Sequence, residues 1–78
     1  MSIKFTKHAL QRIKTRNISK DEILEALAKP DKIIKDSIGN SIVHKIKAEY
    51  LLRVFYYIEK NSKVVITAYK TSKIDKYL

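Results

Sequence analysis

His8, Arg12 and Arg16 recur every four residues near the start of the chain. On a helix, positions i, i+4 and i+8 lie above one another on one face. A basic, tyrosine-rich second half ends in Thr67-Ala68-Tyr69-Lys70-Thr71-Ser72. An imidazole beside guanidinium forks and a phenol can hold a phosphodiester and move its protons without a metal. That set predicts phosphodiester chemistry on RNA. The plainer alternative is a basic domain that binds an acidic partner and does no chemistry.

The elements that must position these groups follow from the apolar pattern. Phe5, Ala9 and Ile13, with Leu10 beside them, mark an amphipathic helix from about Thr6 to Arg16. Asn17 suits the left-handed residue that ends it. Ser19 and Glu22 form a capping box, and Ile18 with Ile23 supplies the hydrophobic staple. Ile23, Leu24, Ala26 and Leu27 give the second helix its buried face, and Pro30 ends it. The rest is strand-like. Ile33-Ile34 is a short apolar run before a turn at Gly39-Asn40. Ile42, His44 and Ile46 alternate with Val43, Lys45 and Lys47. Leu52, Val54, Tyr56 and Ile58 alternate with Leu51, Arg53, Phe55, Tyr57 and Glu59. After a turn at Lys60-Asn61-Ser62, strict alternation puts Val64, Ile66 and Ala68 on one face and Val65, Thr67 and Tyr69 on the other. Short turns make these last three strands an antiparallel meander. The expectation is one α+β domain over residues 1–78. Two N-terminal helices pack on one face of a twisted antiparallel sheet of about four strands. The tail from Thr71 to Leu78 forms one helical turn capped by Ser72, or frays.

Composition narrows the partners. The 78 residues hold 17 Lys and Arg against 8 acids, a net charge of +9. Such an excess favours polyanions, because each neutralised phosphate releases counterions. Only Arg12, Arg16 and Arg53 are arginine; their bidentate forks suit a specific phosphate contact better than lysine does. There is no cysteine, which excludes disulfides and thiolate metal sites and points to a reducing, cytoplasmic setting. No membrane span and no signal peptide are expected. Two histidines at unrelated positions do not make a zinc site, and Asp31 and Asp36 lack the spacing of a calcium loop. One glycine cannot build a phosphate-binding loop. The serines have no nucleophile-elbow context. No metal and no cofactor is expected.

On a helical wheel His8, Arg12 and Arg16 follow one edge of the apolar stripe, while Lys7, Gln11 and Lys14 face water. The edge is expected to be half-buried beside the sheet, where burial tunes a histidine. Arginines at such edges also simply lay their stems on the core. For Arg16 the expectation is that role, with an ion pair to Glu22 or Glu25. His44 is expected to be a partly buried core or edge residue. Most of the tyrosines suit strands and cover the core edge. Tyr69 stands apart, because it shares a strand face with Thr67 near Lys70 and Lys73.

The run Phe5-Thr6-Lys7-His8-Ala9-Leu10-Gln11-Arg12-Ile13, then Arg16-Asn17-Ile18-Ser19, then Ala26-Leu27-Ala28-Lys29-Pro30-Asp31, resembles a family of small uncharacterised proteins. These open with a His-Ala helix motif and end in a strand like Val64-Val65-Ile66-Thr67-Ala68-Tyr69. More distantly, the pattern resembles the RelE/ParE-like toxins of the barnase–EndoU–colicin–RelE nuclease group. That resemblance implies two helices on a four-stranded antiparallel sheet. It also implies metal-independent endoribonuclease activity that leaves 2′,3′-cyclic phosphates, and an acidic antitoxin as partner. By position, His8 and Arg12 match the helix histidine and arginine, and Thr67 and Tyr69 match polar positions of the last strand.

The expected chemistry is 2′-OH transesterification. His8 takes the 2′-OH proton or protonates the leaving oxygen. Arg12 and Arg53 hold the scissile phosphate. Tyr69 supplies the complementary proton or a hydrogen bond, assisted by Thr67 or Thr71. Lys45, Lys47 and Lys70 track the flanking RNA, free or on the ribosome. The alternatives are a non-catalytic nucleic-acid or protein-interaction module, including a ParE-like toxin acting on a protein. A helix-turn-helix DNA reader is disfavoured by Asp21, Glu22 and Glu25 on the second helix.

Overall fold

The computed structural model describes residues 2–77. Its elements run β1 (Ser2–Phe5), α1 (Lys7–Thr15), α2 (Lys20–Ala28), β2 (Lys32–Lys35), β3 (Ser41–Ile46), β4 (Leu51–Glu59), β5 (Ser62–Thr71) and α3 (Ile74–Tyr77). The five strands form one sheet in the order β1-β5-β4-β3-β2. The α+β class is as expected, but the sheet has five strands where about four were expected, a third helix follows it, and the sheet is mixed. β1 runs parallel to β5, pairing Ser2 with Ser62 through Phe5 with Val65. The other pairings are antiparallel.

The first strand was not legible because four residues show too little alternation against a helical stripe nearby. Phe5 therefore ends a strand and does not begin the helix stripe. Thr6 is the N-cap of α1, and its Oγ1 accepts from the Ala9 N–H at 3.0 Å. Ala9 and Ile13 are the buried residues of this helix. Asn17, at φ 56°, closes it in a Schellman turn. The Ile18 N–H bonds Ile13 O at 2.8 Å, and the Asn17 N–H bonds Lys14 O at 3.3 Å. Ser19 and Glu22 then form the capping box of α2. Its end at Ala28, with Lys29 as C-cap, leaves Pro30 outside the helix.

Both helices bury their apolar faces on one side of the sheet. Ala9, Ile13, Ile18, Ile23, Ala26 and Leu27 share a core with Val43, Leu52, Val54, Tyr56, Val65 and Ala68. Ile23 is fully buried; truncating such a side chain to alanine costs about 2–5 kcal/mol. α3 lies on the opposite side, where the Tyr77 ring meets His44 edge-on at 6.4 Å. Thr71, not Ser72, supports its start by accepting from the Lys73 N–H at 3.1 Å. Leu78 lies outside the described residues. Among the described residues no helix is long and apolar enough to cross a membrane.

One irregularity decides how the last strand presents its side chains. β4 and β5 pair Phe55 with Thr67 and Tyr56 with Val65, so Ile66 has no partner. This bulge breaks strict alternation. Val65 and Ala68 both enter the helix-side core, whereas alternation had placed them on opposite faces. Thr67 and Tyr69 emerge on the other face.

Candidate functional site

β1 covers the edge of β5 only as far as Val65. The Thr6 N–H bonds Val65 O at 3.1 Å, and the chain then leaves as α1. Past that point α1 runs beside β5 in place of a strand. Arg16 reaches this edge. Its Nη1 donates to Ala68 O at 2.9 Å and to the Thr67 hydroxyl at 3.4 Å. Its guanidinium carbon lies 5.9 Å from the centre of the Tyr69 ring. The expected ion pair of Arg16 with Glu22 or Glu25 does not form. The sheet edge offers an unpaired carbonyl closer to hand, and the α2 acids have lysine partners.

A groove of about 430 Å³ follows, lined by His8, Arg12 and Arg16 from α1 and by Phe55, Ile66, Thr67 and Tyr69 from the sheet. A second hollow, of about 570 Å³, flanks the same helix row and adds Gln11, Lys14 and Thr15. The row is thus a cationic ridge between two hollows. His8 and Arg12 are exposed, not half-buried. Small Ala9 and Ile13 face the sheet, so the polar edge stands clear of it. No acid lies within α1, and neither His8 nor Arg12 is hydrogen-bonded through its side chain among the described residues.

Behind the groove lies a buried network. Arg53 is 8% exposed and His44 0%. Arg53 Nε donates to His44 Nε2 at 3.0 Å, and Arg53 Nη1 donates to the Tyr69 hydroxyl. The Arg53 guanidinium sits 4.1 Å from the Tyr77 ring centre, 5.2 Å from Phe55 and 5.5 Å from Tyr69. Phe55 and Tyr69 stack at 5.9 Å. Among the described residues no carboxylate pairs with Arg53. Burial, then the charges of Arg53 and Lys32, hold the His44 imidazole below its ordinary pKa. It is therefore neutral and can accept from Arg53. Burial and the hydrogen bond to Tyr77 push the Tyr69 phenol up, against the opposing pull of Arg53, so Tyr69 stays protonated. His44 proves wholly buried and hydrogen-bonded, a stronger role than the core or edge position expected of it.

The structure gathers His8, Arg12, Thr67 and Tyr69 around one groove, with Arg53 one contact behind. It does not gather the lysines. Lys45 donates to Lys29 O at 2.8 Å and lies 4.0 Å from Asp31. Lys47 pairs with Glu25. Lys70 donates to Asn17 O at 3.3 Å and lies 3.7 Å from Glu22. These side chains lie beside α2 and its flanking turns, drawn there by Glu22 and Glu25 of α2 and by Asp31 beyond it. Thr71 is engaged at the start of α3 and does not line the groove. Sequence reasoning missed Phe55, Ile66, His44 and Tyr77. Alternation did put Phe55 and Arg53 on one face, which was a usable signal. Nothing local marked the bulge at Ile66 or the fold-back of Tyr77.

A family model described as a domain of unknown function (DUF4258) matches residues 5–70. No curated protein and no solved structure matches the chain.

Proposed function

The chain belongs to the DUF4258 family, and from its groove we propose that it is a metal-independent endoribonuclease of toxin-like, RelE-related type that cleaves unpaired RNA. The observation that carries this reading is the convergence of His8, Arg12 and Arg16 with Thr67, Tyr69 and Phe55 around one open groove. Arg12 and Arg16 bind the scissile phosphate and stabilise the charge that builds on its oxygens. Arg16 is held in place by the Ala68 carbonyl, which leaves its positive charge uncompensated. The stacked Phe55–Tyr69 pair offers a face to an unpaired base.

His8 takes the proton from the ribose 2′-OH as that oxygen attacks phosphorus. The P–O5′ bond breaks, and the leaving 5′-oxygen takes a proton from water in the open groove. His8 returns its own proton to the hydroxide so formed, and a 2′,3′-cyclic phosphate remains. Tyr69 contributes a hydrogen bond and a stacking face. RNA is the substrate because DNA lacks the internal 2′-OH nucleophile. The excess of base over acid also fits an acidic antitoxin that covers the ridge.

The test is incubation of wild type, His8→Ala and Arg12→Ala with mixed cellular RNA in EDTA, with and without ribosomes, reading fragment ends. Cyclic-phosphate ends from wild type and their loss in both folded variants are the expected result. Salt-sensitive RNA binding without product replaces this reading with that of a binding module.

A further inference from the structure

Arg53 is buried with a full charge and meets no carboxylate among the described residues. Its known partners are a neutral imidazole, a phenol and three aromatic faces. A carboxylate in place of His44 would also satisfy Arg53 Nε, but it would cancel the guanidinium charge behind the groove. An apolar residue would leave the Nε–H unpaired and free the guanidinium to turn. A neutral imidazole does neither. It accepts one hydrogen bond and leaves the charge uncompensated.

We infer that His44 is a positioning residue. It fixes the Arg53 guanidinium, and Arg53 in turn fixes the Tyr69 hydroxyl at the wall of the groove. Its service to RNA cleavage depends on the reading proposed above, while its grip on Arg53 is a matter of geometry alone. To accept from Arg53, His44 must carry its proton on Nδ1. That atom is buried and has no partner among the described residues. The arrangement thus keeps an unpaired buried donor in order to hold Arg53. Lys32, opposite His44 on β2, and the Tyr77 ring on α3 are the other groups facing it.

The experiment has two parts on the full chain. Imidazole ¹⁵N spectra of wild type are expected to show His44 as the neutral Nδ1–H tautomer. The Nε2–H tautomer overturns the assignment without any substitution. Tyrosine ring signals are then followed against pH in wild type, His44→Leu and His44→Gln. His44→Leu is expected to move the Tyr69 titration to higher pH, since Arg53 no longer holds the phenol. It is also expected to weaken binding of a single-stranded oligoribonucleotide about threefold to tenfold. His44→Gln, whose amide oxygen can accept from Arg53, is expected to restore the wild-type Tyr69 titration. A Tyr69 titration unchanged in His44→Leu overturns the proposal. If His44→Leu does not fold, a Tyr69 titration in His44→Gln displaced from wild type overturns it instead. The Nδ1–H tautomer in wild type and the Tyr69 response in His44→Leu, with no RNA cleavage by wild type, remove the nuclease reading and leave this one standing. Cleavage without the tautomer does the reverse.

Discussion

The two long helices lie on the same face of the sheet, yet they differ in charge. α1 carries Lys7, His8, Arg12, Lys14 and no acid. α2 carries Asp21 and Glu22 in its first turn and Glu25 beyond. Beside α2 three lysines meet acids: Lys47 with Glu25, Lys70 with Glu22, Lys45 near Asp31. Tyr50 adds a hydrogen bond to Glu22 at 2.9 Å. Beside α1, Arg16 meets a carbonyl, a hydroxyl and a ring, while Arg12 makes no side-chain hydrogen bond among the described residues. The net charge of +9 is therefore not spread evenly over the molecule. One end pairs three of its lysines with acids, and those pairs serve the fold. The other keeps its charge available to a polyanion.

The comparison breaks most readily at α1. His8→Ala is expected to lower RNA cleavage by about 10²- to 10⁴-fold, the usual worth of a general base, with an unchanged thermal midpoint. An equal loss of folding would return His8 to a structural role. Next in size, Arg12→Ala and Arg16→Ala are each expected to weaken oligoribonucleotide binding and to flatten its dependence on salt by about one phosphate contact. Lys47→Ala, on the paired side, is expected to change that slope by much less. Similar slopes for Arg12→Ala and Lys47→Ala would erase the asymmetry. Tyr50→Phe sharpens the contrast from the other direction. It removes the bond to Glu22, and urea unfolding is expected to show a loss of about 1 kcal/mol, while cleavage is unaffected.

The smallest expected effect is in pH. The unfolded chain protonates His44 near pH 6.5, whereas burial and neighbouring cations hold the folded value lower. Between those values the unfolded state binds more protons, so stability rises with pH. The urea midpoint should be level above neutrality and fall as the pH drops below about 6.5. His44→Gln should flatten that fall. Glu22 has the same sign at lower pH. Burial alone would raise its pKa, but the Ser19 backbone, Tyr50 and Lys70 outweigh that and lower it. Its contribution is therefore lost only as acid protonates the folded carboxylate.

Local signals made much of the fold readable. Asn17, Ser19 with Glu22, and Pro30 mark helix ends through effects that reach only a few residues. The meander of β3, β4 and β5 followed from alternation and short turns. β1 did not, because its partner β5 lies some 60 residues away, as the Ser2–Ser62 pair shows.

For the candidate site the division is similar. The i, i+4, i+8 spacing of His8, Arg12 and Arg16 is a property of the chain alone, since helix geometry places them on one edge. Their exposure was a matter of packing, set by how closely Ala9 brings α1 to the sheet. That Thr67 and Tyr69 share a face was also readable. The sequence by itself thus determined the α+β class, the cationic row and the surplus of positive charge. Only the tertiary structure decided which cations stay unneutralised, which strand edge α1 runs beside, and which residues stand behind Tyr69. The physical reason is range: caps, turns and periodicity act over a few residues. The bulge at Ile66, the Arg53–His44 pair and the Tyr77 contact arise only when distant strands meet.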